Sequence, residues 1–240
     1  GQRRLPTTAA AEDHPAWSPD GKKIVFDADY DGDGYFEIYT INIDGSDLAR
    51  LTSGQANDQF ADWSPDSRHI AFTSERNGNY DLYVMDADGS NQRPLTSAQG
   101  WEMFPAWSPD GSQIAYFACD PRCRPNRQDI YVMNADGSNV RQLTTTTSVV
   151  DEDPAWSPDG KQIAFQSDRD GKFEIYVMNP DGSNQQRLTK DSGDNYWPSW
   201  EPDGRLIASI SWDGTARLWS AGNDCWVQPV PLLQALLSPK

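Results

Sequence analysis

A block of five residues recurs along the chain and constrains its fold more than any other feature. Trp-Ser-Pro-Asp-Gly begins at Trp17, Trp107 and Trp156, and close variants begin at Trp63 and Trp200. Successive tryptophans are separated by 46, 44, 49 and 44 residues. A period of this size indicates one supersecondary motif repeated along the chain, with each copy burying its apolar face against the next.

Each repeat contains four short segments with the composition of strands. A Pro-Ala-Trp segment leads into a Pro-Asp-Gly turn, where proline presets φ and glycine accepts a positive φ. Two apolar runs follow, at 22–26 and 37–42 in the first repeat, and both are rich in strand-forming residues. An Asp-Gly-Ser turn and a polar segment ending in Leu-Thr complete the repeat. The pattern predicts an all-β propeller of four-stranded blades.

These blocks carry a family resemblance. The segments PAWSPDGKKIVF and EIYVMNPDGSNQQRLT, together with their copies, resemble the TolB-like propeller repeat, one of the PD40 or WD40-like repeats. The resemblance extends over about residues 2–220, and the last copy, at 211–219, is closer to the WD type. It implies one propeller domain over residues 1–220 and a C-terminal tail over 221–240.

The two ends of the chain predict how the ring closes. Leu5 precedes Trp17 by 12 residues, the spacing that also separates Leu51 from Trp63. Residues 3–6 therefore match an outer strand, whereas the last repeat lacks its own Asp-Gly-Ser and Leu-Thr blocks. We predict five blades, with the N-terminal strand completing the fifth. In the alternative, residues 225–231 form that outer strand and the chain is part of a six-bladed ring.

Charge and cysteine content limit the partners and the compartment. A net charge of −16 disfavours nucleic acid, whose binding depends on phosphate neutralisation by basic residues. No stretch approaches the roughly 20 apolar residues of a membrane-spanning helix. Cys119 and Cys123 are close enough in sequence for a disulfide, which an oxidising compartment favours. Together with the family resemblance, this predicts a periplasmic or extracellular protein.

An acidic loop in the first repeat is the candidate metal site. Its carboxylates are Asp27, Asp29, Asp31, Asp33 and Glu37. Alternating aspartates followed by glycine match the opening of a calcium-binding loop, in which oxygen ligands surround a hard cation. The match is incomplete, because the position of the last EF-hand ligand falls on Ile38. The alternatives are a calcium site and a solvated acidic hairpin loop.

The loops that lead into the first strand of each repeat form the candidate partner site. They should meet at one mouth of the central channel, and the aromatic residues among them suit a binding hot spot. The family resemblance implies that this face receives a protein or peptide. The candidate residues are Asp13, His14, Phe60, Trp101, Glu102, Phe104, Glu152, Asp153, Tyr196 and Trp197.

The sequence predicts a binding module and not an enzyme. It contains no Gly-x-Ser-x-Gly nucleophile motif, no cysteine and histidine at catalytic spacing and no phosphate-binding glycine loop. We predict a non-catalytic protein- or peptide-binding scaffold, with calcium as its one candidate cofactor. The alternatives are a calcium-stabilised carbohydrate- or ligand-binding module, a structural subunit of a larger complex and the propeller part of a hydrolase. The oligomeric state is left open.

Overall fold

The chain folds into a five-bladed β-propeller. The computed structural model describes residues 11–119, 127–147, 149–190, 193–221 and 226–231. These residues form five antiparallel sheets of four strands each, which confirms the predicted fold class. None of the described residues belongs to a helix of the length and apolar character that a membrane crossing requires.

The strands follow the repeat in chain order. The first blade contains β1 (Glu12–Trp17), β2 (Lys23–Ala28), β3 (Glu37–Asn42) and β4 (Ala49–Arg50). The second contains β5 (Asp58–Trp63), β6 (His69–Ser74), β7 (Asp81–Asp86) and β8 (Arg93–Pro94). The third contains β9 (Glu102–Trp107), β10 (Gln113–Cys119), β11 (Gln128–Asn134) and β12 (Arg141–Gln142). The fourth contains β13 (Asp151–Trp156), β14 (Ile163–Ser167), β15 (Glu174–Met178) and β16 (Gln186–Arg187). The fifth contains β17 (Tyr196–Trp200), β18 (Leu206–Ile210), β19 (Thr215–Ser220) and β20 (Trp226–Pro231).

The Trp-Ser-Pro-Asp-Gly block closes the hairpin between the two inner strands of a blade. In the first blade, the Ser18 hydroxyl donates to Asp20 at 2.8 Å and accepts from the Lys23 N–H at 2.9 Å. Gly21 has a φ of +69°, a conformation that glycine adopts without a Cβ clash. The serine-to-aspartate bond recurs in the next three blades. The repeated block is therefore a turn motif.

Most of the core lies between neighbouring blades. One cluster joins Val25 and Ile38 of the first blade to Phe72 of the second. Another joins Phe117 of the third blade to Phe165 of the fourth. Because each blade covers the apolar face of its neighbour, the sheets are stabilised mainly by this packing.

The outer strand of the fifth blade corrects the predicted closure. β20 pairs antiparallel with β19, at the position predicted for segment 3–6, and Trp219 lies opposite Trp226. A hairpin between consecutive strands closes a short loop, which costs less chain entropy than bringing in the distant N-terminus. The fifth blade therefore extends into residues 221–240, the segment predicted as a tail. Residues 1–10 lie outside the described residues.

The junction between the fifth and first blades differs from the other four. Successive innermost strands contact one another from β1 through β17, whereas β17 and β1 make no comparable contact within the described residues. Trp17 on β1 is 63% exposed, although the equivalent Trp63 is only 4% exposed. Each later blade packs the face that carries this tryptophan against the preceding blade. The same face of the first blade leaves Trp17 exposed.

Candidate functional site: the mouth of the central channel

The same unusual backbone conformation recurs in the innermost strand of every blade. Each of these strands is interrupted by a register shift at an equivalent position. The residues at this position have left-handed φ values between 49° and 56°: His14, Phe60, Phe104, Asp153 and Trp197. Bulky side chains rarely adopt this conformation, which costs about 1–3 kcal/mol. A bulge of this kind redirects a side chain out of the regular pleat.

Side chains of the preceding blade hold three of these left-handed residues in place. The backbone N–H in each case donates to a side-chain oxygen on the second strand of that blade. The three bonds are Phe60 to Asp27 at 3.2 Å, Phe104 to Thr73 at 3.3 Å and Trp197 to Gln166 at 2.8 Å. Phe117 occupies the equivalent position on the blade before Asp153 and offers no side-chain acceptor.

The five left-handed residues line one cavity of about 500 Å³. Its remaining walls come from the Pro-Ala-Trp segments that follow them, such as Pro105 and Trp156. Phe60 stacks on Phe104 with ring centroids 3.8 Å apart, and the His14 ring lies 4.3 Å from that of Phe60. One side of the channel mouth is therefore a continuous aromatic wall.

A second aromatic group surrounds Trp197. The Trp197 ring lies 5.8 Å from that of Tyr196 and 6.0 Å from that of Trp212. Trp212 is 77% exposed and lies in the turn between β18 and β19. The sequence reasoning missed Trp212 as a site residue, because it lies outside the loops that connect the blades. Its signal was the Ser-Trp-Asp-Gly motif of the last repeat.

Asp153 differs from the other four residues of the ring. Its side chain lies in an apolar setting, and the residue is 9% exposed. The buried Oδ1 has no hydrogen-bond partner among the described residues. Burial, together with the charge of Glu152, raises the pKa of Asp153 well above its ordinary value. The channel therefore contains a carboxyl group that the described part of the chain leaves unpaired.

The structure divides the ten predicted partner-site residues into two sets. The five left-handed residues line the cavity, whereas Asp13, Trp101, Glu102, Glu152 and Tyr196 do not. Glu102 is buried, and burial raises its pKa to about 7. Trp101 contacts Tyr80 of the second blade instead, with ring centroids 5.5 Å apart.

Glu152 and Tyr196 lie next to the cavity without lining it. The Glu152 carboxylate accepts a hydrogen bond from Gln166 at 2.9 Å, so Gln166 connects it to the Trp197 backbone. Asp13 is exposed on β1. Alternate residues of a strand point to opposite faces, which explains why the neighbours of the left-handed residues miss the cavity.

The acidic loop brings together three of the five predicted metal ligands. Carboxylate oxygens of Asp29, Asp31 and Asp33 lie within 4.8 Å of one another. Asp29 also accepts hydrogen bonds from the Gly32 and Gly34 N–H groups at 2.8 and 3.1 Å. This local bonding holds the loop in a compact turn.

Asp27 and Glu37 lie apart from this group. Asp27 is fully buried and bonds His14 and the Phe60 N–H. Glu37 is buried against Arg50 at 2.6 Å, and burial raises its pKa to about 7. Arg50 also contacts Asp31 at 2.7 Å, a contact that holds the pKa of Asp31 below its usual value. Three carboxylates, one of them paired with arginine, therefore remain as possible ligands.

Arg50, which lies on β4 beside this loop, has a counterpart in the fourth blade. Arg187 pairs with Asp170 at 3.2 Å and also contacts Glu174, as Arg50 pairs with Asp31 and Glu37. An arrangement that recurs in a loop without the extra aspartates indicates a structural role for the arginine. Asp29 and Asp33 are then the ligands most available to a cation.

Five four-stranded blades around a channel define this chain as a β-propeller binding scaffold. The model of the PD40 family, the TolB beta propeller domain, matches residues 2–121 and 100–221. The chain belongs to this family.

Individual relatives of the chain include TolB proteins. The chain is 36% identical to the Tol-Pal system protein TolB of Alcanivorax borkumensis over 64 residues. This aligned region covers 27% of this chain and 14% of that protein. A solved structure assigned as TolB from Agrobacterium tumefaciens superimposes with a TM-score of 0.71 at 25% identity, covering 88% of this chain and 76% of the other. The chain spans between 14% and 26% of the length of the first curated relatives that it matches.

An enzyme also shares the architecture. Oligogalacturonate lyase from Vibrio parahaemolyticus superimposes with a TM-score of 0.70 at 17% identity, covering 90% of this chain and 64% of the lyase. At this level of identity the likeness shows the fold alone, because one fold supports many functions.

Proposed function

We propose that this propeller is a non-catalytic scaffold that binds a protein or peptide segment in the mouth of its central channel. The observation that carries the proposal is the ring of five left-handed residues lining one cavity. Strained backbone persists where the surrounding structure enforces it, and it clusters at functional sites. Here the strain places three large aromatic side chains on the wall of a cavity.

The chemistry of the cavity fits a peptide. Hot spots of protein interfaces are enriched in aromatic residues near their centre, with polar groups around them. Phe60, Phe104 and Trp197 supply the aromatic surface. The cavity of about 500 Å³ has room for a few side chains of an inserted loop.

The polar groups at the mouth support binding rather than catalysis. His14 Nδ1 faces Asp27 at 3.1 Å, which resembles the histidine and aspartate of a hydrolase. A catalytic pair of this kind needs a nucleophile within hydrogen-bond reach of the other ring nitrogen. Among the described residues, no serine, threonine or cysteine bonds His14. The Asp27 contact therefore orients the imidazole in the channel wall.

The proposed location is the periplasm or the extracellular space. Cys119 forms a disulfide, and disulfides persist in oxidising compartments. Its predicted partner, Cys123, lies outside the described residues. The Tol-Pal system protein among the relatives supports the same assignment.

Calcium binding at the acidic loop is a second proposal. The clustered oxygens of Asp29, Asp31 and Asp33 favour it, because calcium takes several oxygen ligands from a flexible loop. The loop lies beside the mouth, since the Phe36 carbonyl accepts a bond from the Asp58 N–H at 2.8 Å. Bound calcium would stabilise this junction of the first two blades.

Selection from a random peptide library displayed on phage tests the channel proposal. The informative variants are Phe60→Asn and Trp197→Asn, because asparagine tolerates the left-handed conformation while the aromatic surface is lost. Trp101→Ala is the matched control, since it removes a partly exposed tryptophan outside the cavity.

We expect selected peptides to bind the wild-type protein and the control alike. Their binding to each channel variant should be weaker by at least about tenfold, the effect of losing a hot-spot side chain. Peptides that bind the channel variants as tightly as the wild type would place the binding surface elsewhere.

A further inference from the structure

The position of Asp153 in the channel gives it aromatic neighbours on both sides. In ring order it lies between Phe104 of the third blade and Trp197 of the fifth, and all three side chains line the same cavity. A carboxyl group flanked by aromatic side chains combines the two kinds of group that attract an organic cation, a negative charge and π faces.

The fold does not use this carboxyl group. The four equivalent positions carry His14, Phe60, Phe104 and Trp197, so the bulge forms without an acidic residue. Oδ1 of Asp153 is buried and has no hydrogen-bond partner within the described residues. Buried polar groups are nearly always paired, and an unpaired one in a cavity is a group that a ligand can satisfy.

The neighbouring blade leaves this carboxyl group free to face a ligand. At three other junctions, a side-chain oxygen on the second strand accepts a hydrogen bond from the N–H of the left-handed residue. The equivalent position before Asp153 carries Phe117, which has no polar group to offer the carboxyl. The nearby acidic group, Glu152, is engaged by Gln166. No described lysine or arginine lines the cavity.

We propose that Asp153 receives a basic side chain, from a lysine or an arginine, of the peptide that inserts into the channel. Phe104 and Trp197 contact the alkyl chain and the cationic group, and the Asp153 carboxylate pairs with the charge. This proposal rests on the proposed peptide-binding function and names the chemistry that it recognises.

Other features of the molecule agree with an organic cation. The net charge of −16 attracts basic segments over a distance. A metal ion needs several oxygen or nitrogen ligands together. The described residues contain one such cluster, Asp29, Asp31 and Asp33, and Asp153 is outside it.

Small cations test the proposal without any peptide. Butylammonium and butylguanidinium serve as analogues of lysine and arginine, and butanol is the neutral control. Binding to the intact protein is measured by NMR titration at about 0.15 M salt, where long-range attraction is screened. The variant is Asp153→Asn. The matched control is Asp203→Asn, which removes an equal charge from the exposed turn after β17. This turn follows the end of β17, whereas the cavity residue Trp197 lies near its start.

We expect both cations to bind the wild type and Asp203→Asn equally, and butanol to bind neither measurably. Asp153→Asn should lose about tenfold or more in cation affinity, as expected for a desolvated charge pair. Equal cation binding by Asp153→Asn and the wild type, in a variant whose unfolding curve shows it to be folded, would overturn the proposal. Butanol binding as tight as that of butylammonium would overturn it too.

Measuring peptides and small cations on the same variants distinguishes a failure of the cation site from a failure of the proposed peptide-binding function. Library peptides that require Phe60 but bind Asp153→Asn normally would leave the function standing and overturn the cation site. Cations that bind through Asp153, in a protein for which no peptide is selected, would support the cation site and count against the peptide function.

Discussion

Phe60 and Phe104 stack across a blade boundary with ring centroids 3.8 Å apart, and both have a left-handed backbone with a φ of 56°. Each ring comes from a bulge in the innermost strand of its own blade. Because the repeat places the bulges in register, the aromatic side chains meet at the channel instead of pointing into separate sheets. The backbone conformation and the aromatic wall are therefore one feature.

The bond between Asp27 and the Phe60 N–H predicts the cost of losing the acceptor. Asp27→Ala should lower the free energy of unfolding by about 1–3 kcal/mol, since a buried donor loses its partner. Asp27→Asn keeps a side-chain oxygen in place and should cost less. Urea unfolding of the two variants measures the difference, and equal losses would show that the bond to Phe60 does not hold the bulge.

The uncovered face of the first blade predicts unequal effects at equivalent tryptophans. Trp63→Ala should cost about 3–5 kcal/mol, as expected for a buried aromatic side chain. Trp17→Ala should cost far less, because Trp17 is 63% exposed against 4% for Trp63. Chemical unfolding of both variants measures the two costs. A loss at Trp17 as large as that at Trp63 would mean that another surface covers this face in solution.

Gly171 and Gly182 have similar backbone conformations but different surroundings. Replacing each by alanine therefore distinguishes the cost of backbone strain from the cost of a packing clash. A Cβ at Gly182 would lie 2.7 Å from the Leu143 carbonyl oxygen of the preceding blade, whereas a Cβ at Gly171 would meet nothing within 4 Å. Gly171→Ala should cost about 1–2 kcal/mol for its left-handed backbone. Gly182→Ala should cost clearly more in the same unfolding measurement. Equal costs would show that the blades separate easily at this turn.

Calcium should raise the thermal stability of the protein if the acidic loop binds it. We expect the melting temperature to rise by a few degrees between excess EGTA and millimolar calcium, since a ligand stabilises the folded state that it binds. The Asp29→Asn, Asp33→Asn double variant should lose this response. The control Asp88→Asn, in an exposed turn outside the loop, should keep it. An unchanged response in the double variant would remove the proposed site.

Asp153 predicts a defined dependence of stability on pH. Its pKa is raised in the folded state, so the folded chain binds a proton that the unfolded chain releases as pH rises. Stability is therefore lost between the unfolded pKa of about 3.9 and the higher folded pKa. Asp153→Asn should be more stable than the wild type by about 1–3 kcal/mol above this window and similar to it below. Urea unfolding across pH measures the gain, and a variant less stable at neutral pH would contradict it.

The repeat carries almost all of the information about the fold. Every Trp-Ser-Pro-Asp block proved to be an inner hairpin turn, because its serine and aspartate bond each other locally. The outer strand of the fifth blade was mispredicted, because Trp226–Pro231 has no sequence in common with the earlier outer strands. Its pairing depends on a tertiary neighbour, β19, which no repeat pattern reveals.

The site was predictable in part. Loop position alone found His14, Phe60, Phe104, Asp153 and Trp197, since each lies near the start of its repeat. Loop position could not distinguish these residues from neighbours such as Glu102, because the bulge decides which side chains face the cavity. A left-handed φ has no sequence signature when the residues are histidine, phenylalanine, aspartate and tryptophan. The unpaired state of Asp153 also depends on the preceding blade, which places the apolar Phe117 at the equivalent position and is distant in sequence.

Photo-crosslinking from inside the channel tests directly whether a peptide binds there. A benzophenone attached at Ser199→Cys lies in the wall of the cavity, and one attached at Ser90→Cys lies in an exposed turn of the second blade. Both labelled proteins are irradiated with a library-selected peptide, and the crosslinked products are measured by mass spectrometry. Binding in the channel predicts crosslinks from Ser199→Cys that excess unlabelled peptide abolishes, and none from Ser90→Cys. Specific crosslinks from Ser90→Cys alone would contradict binding in the channel.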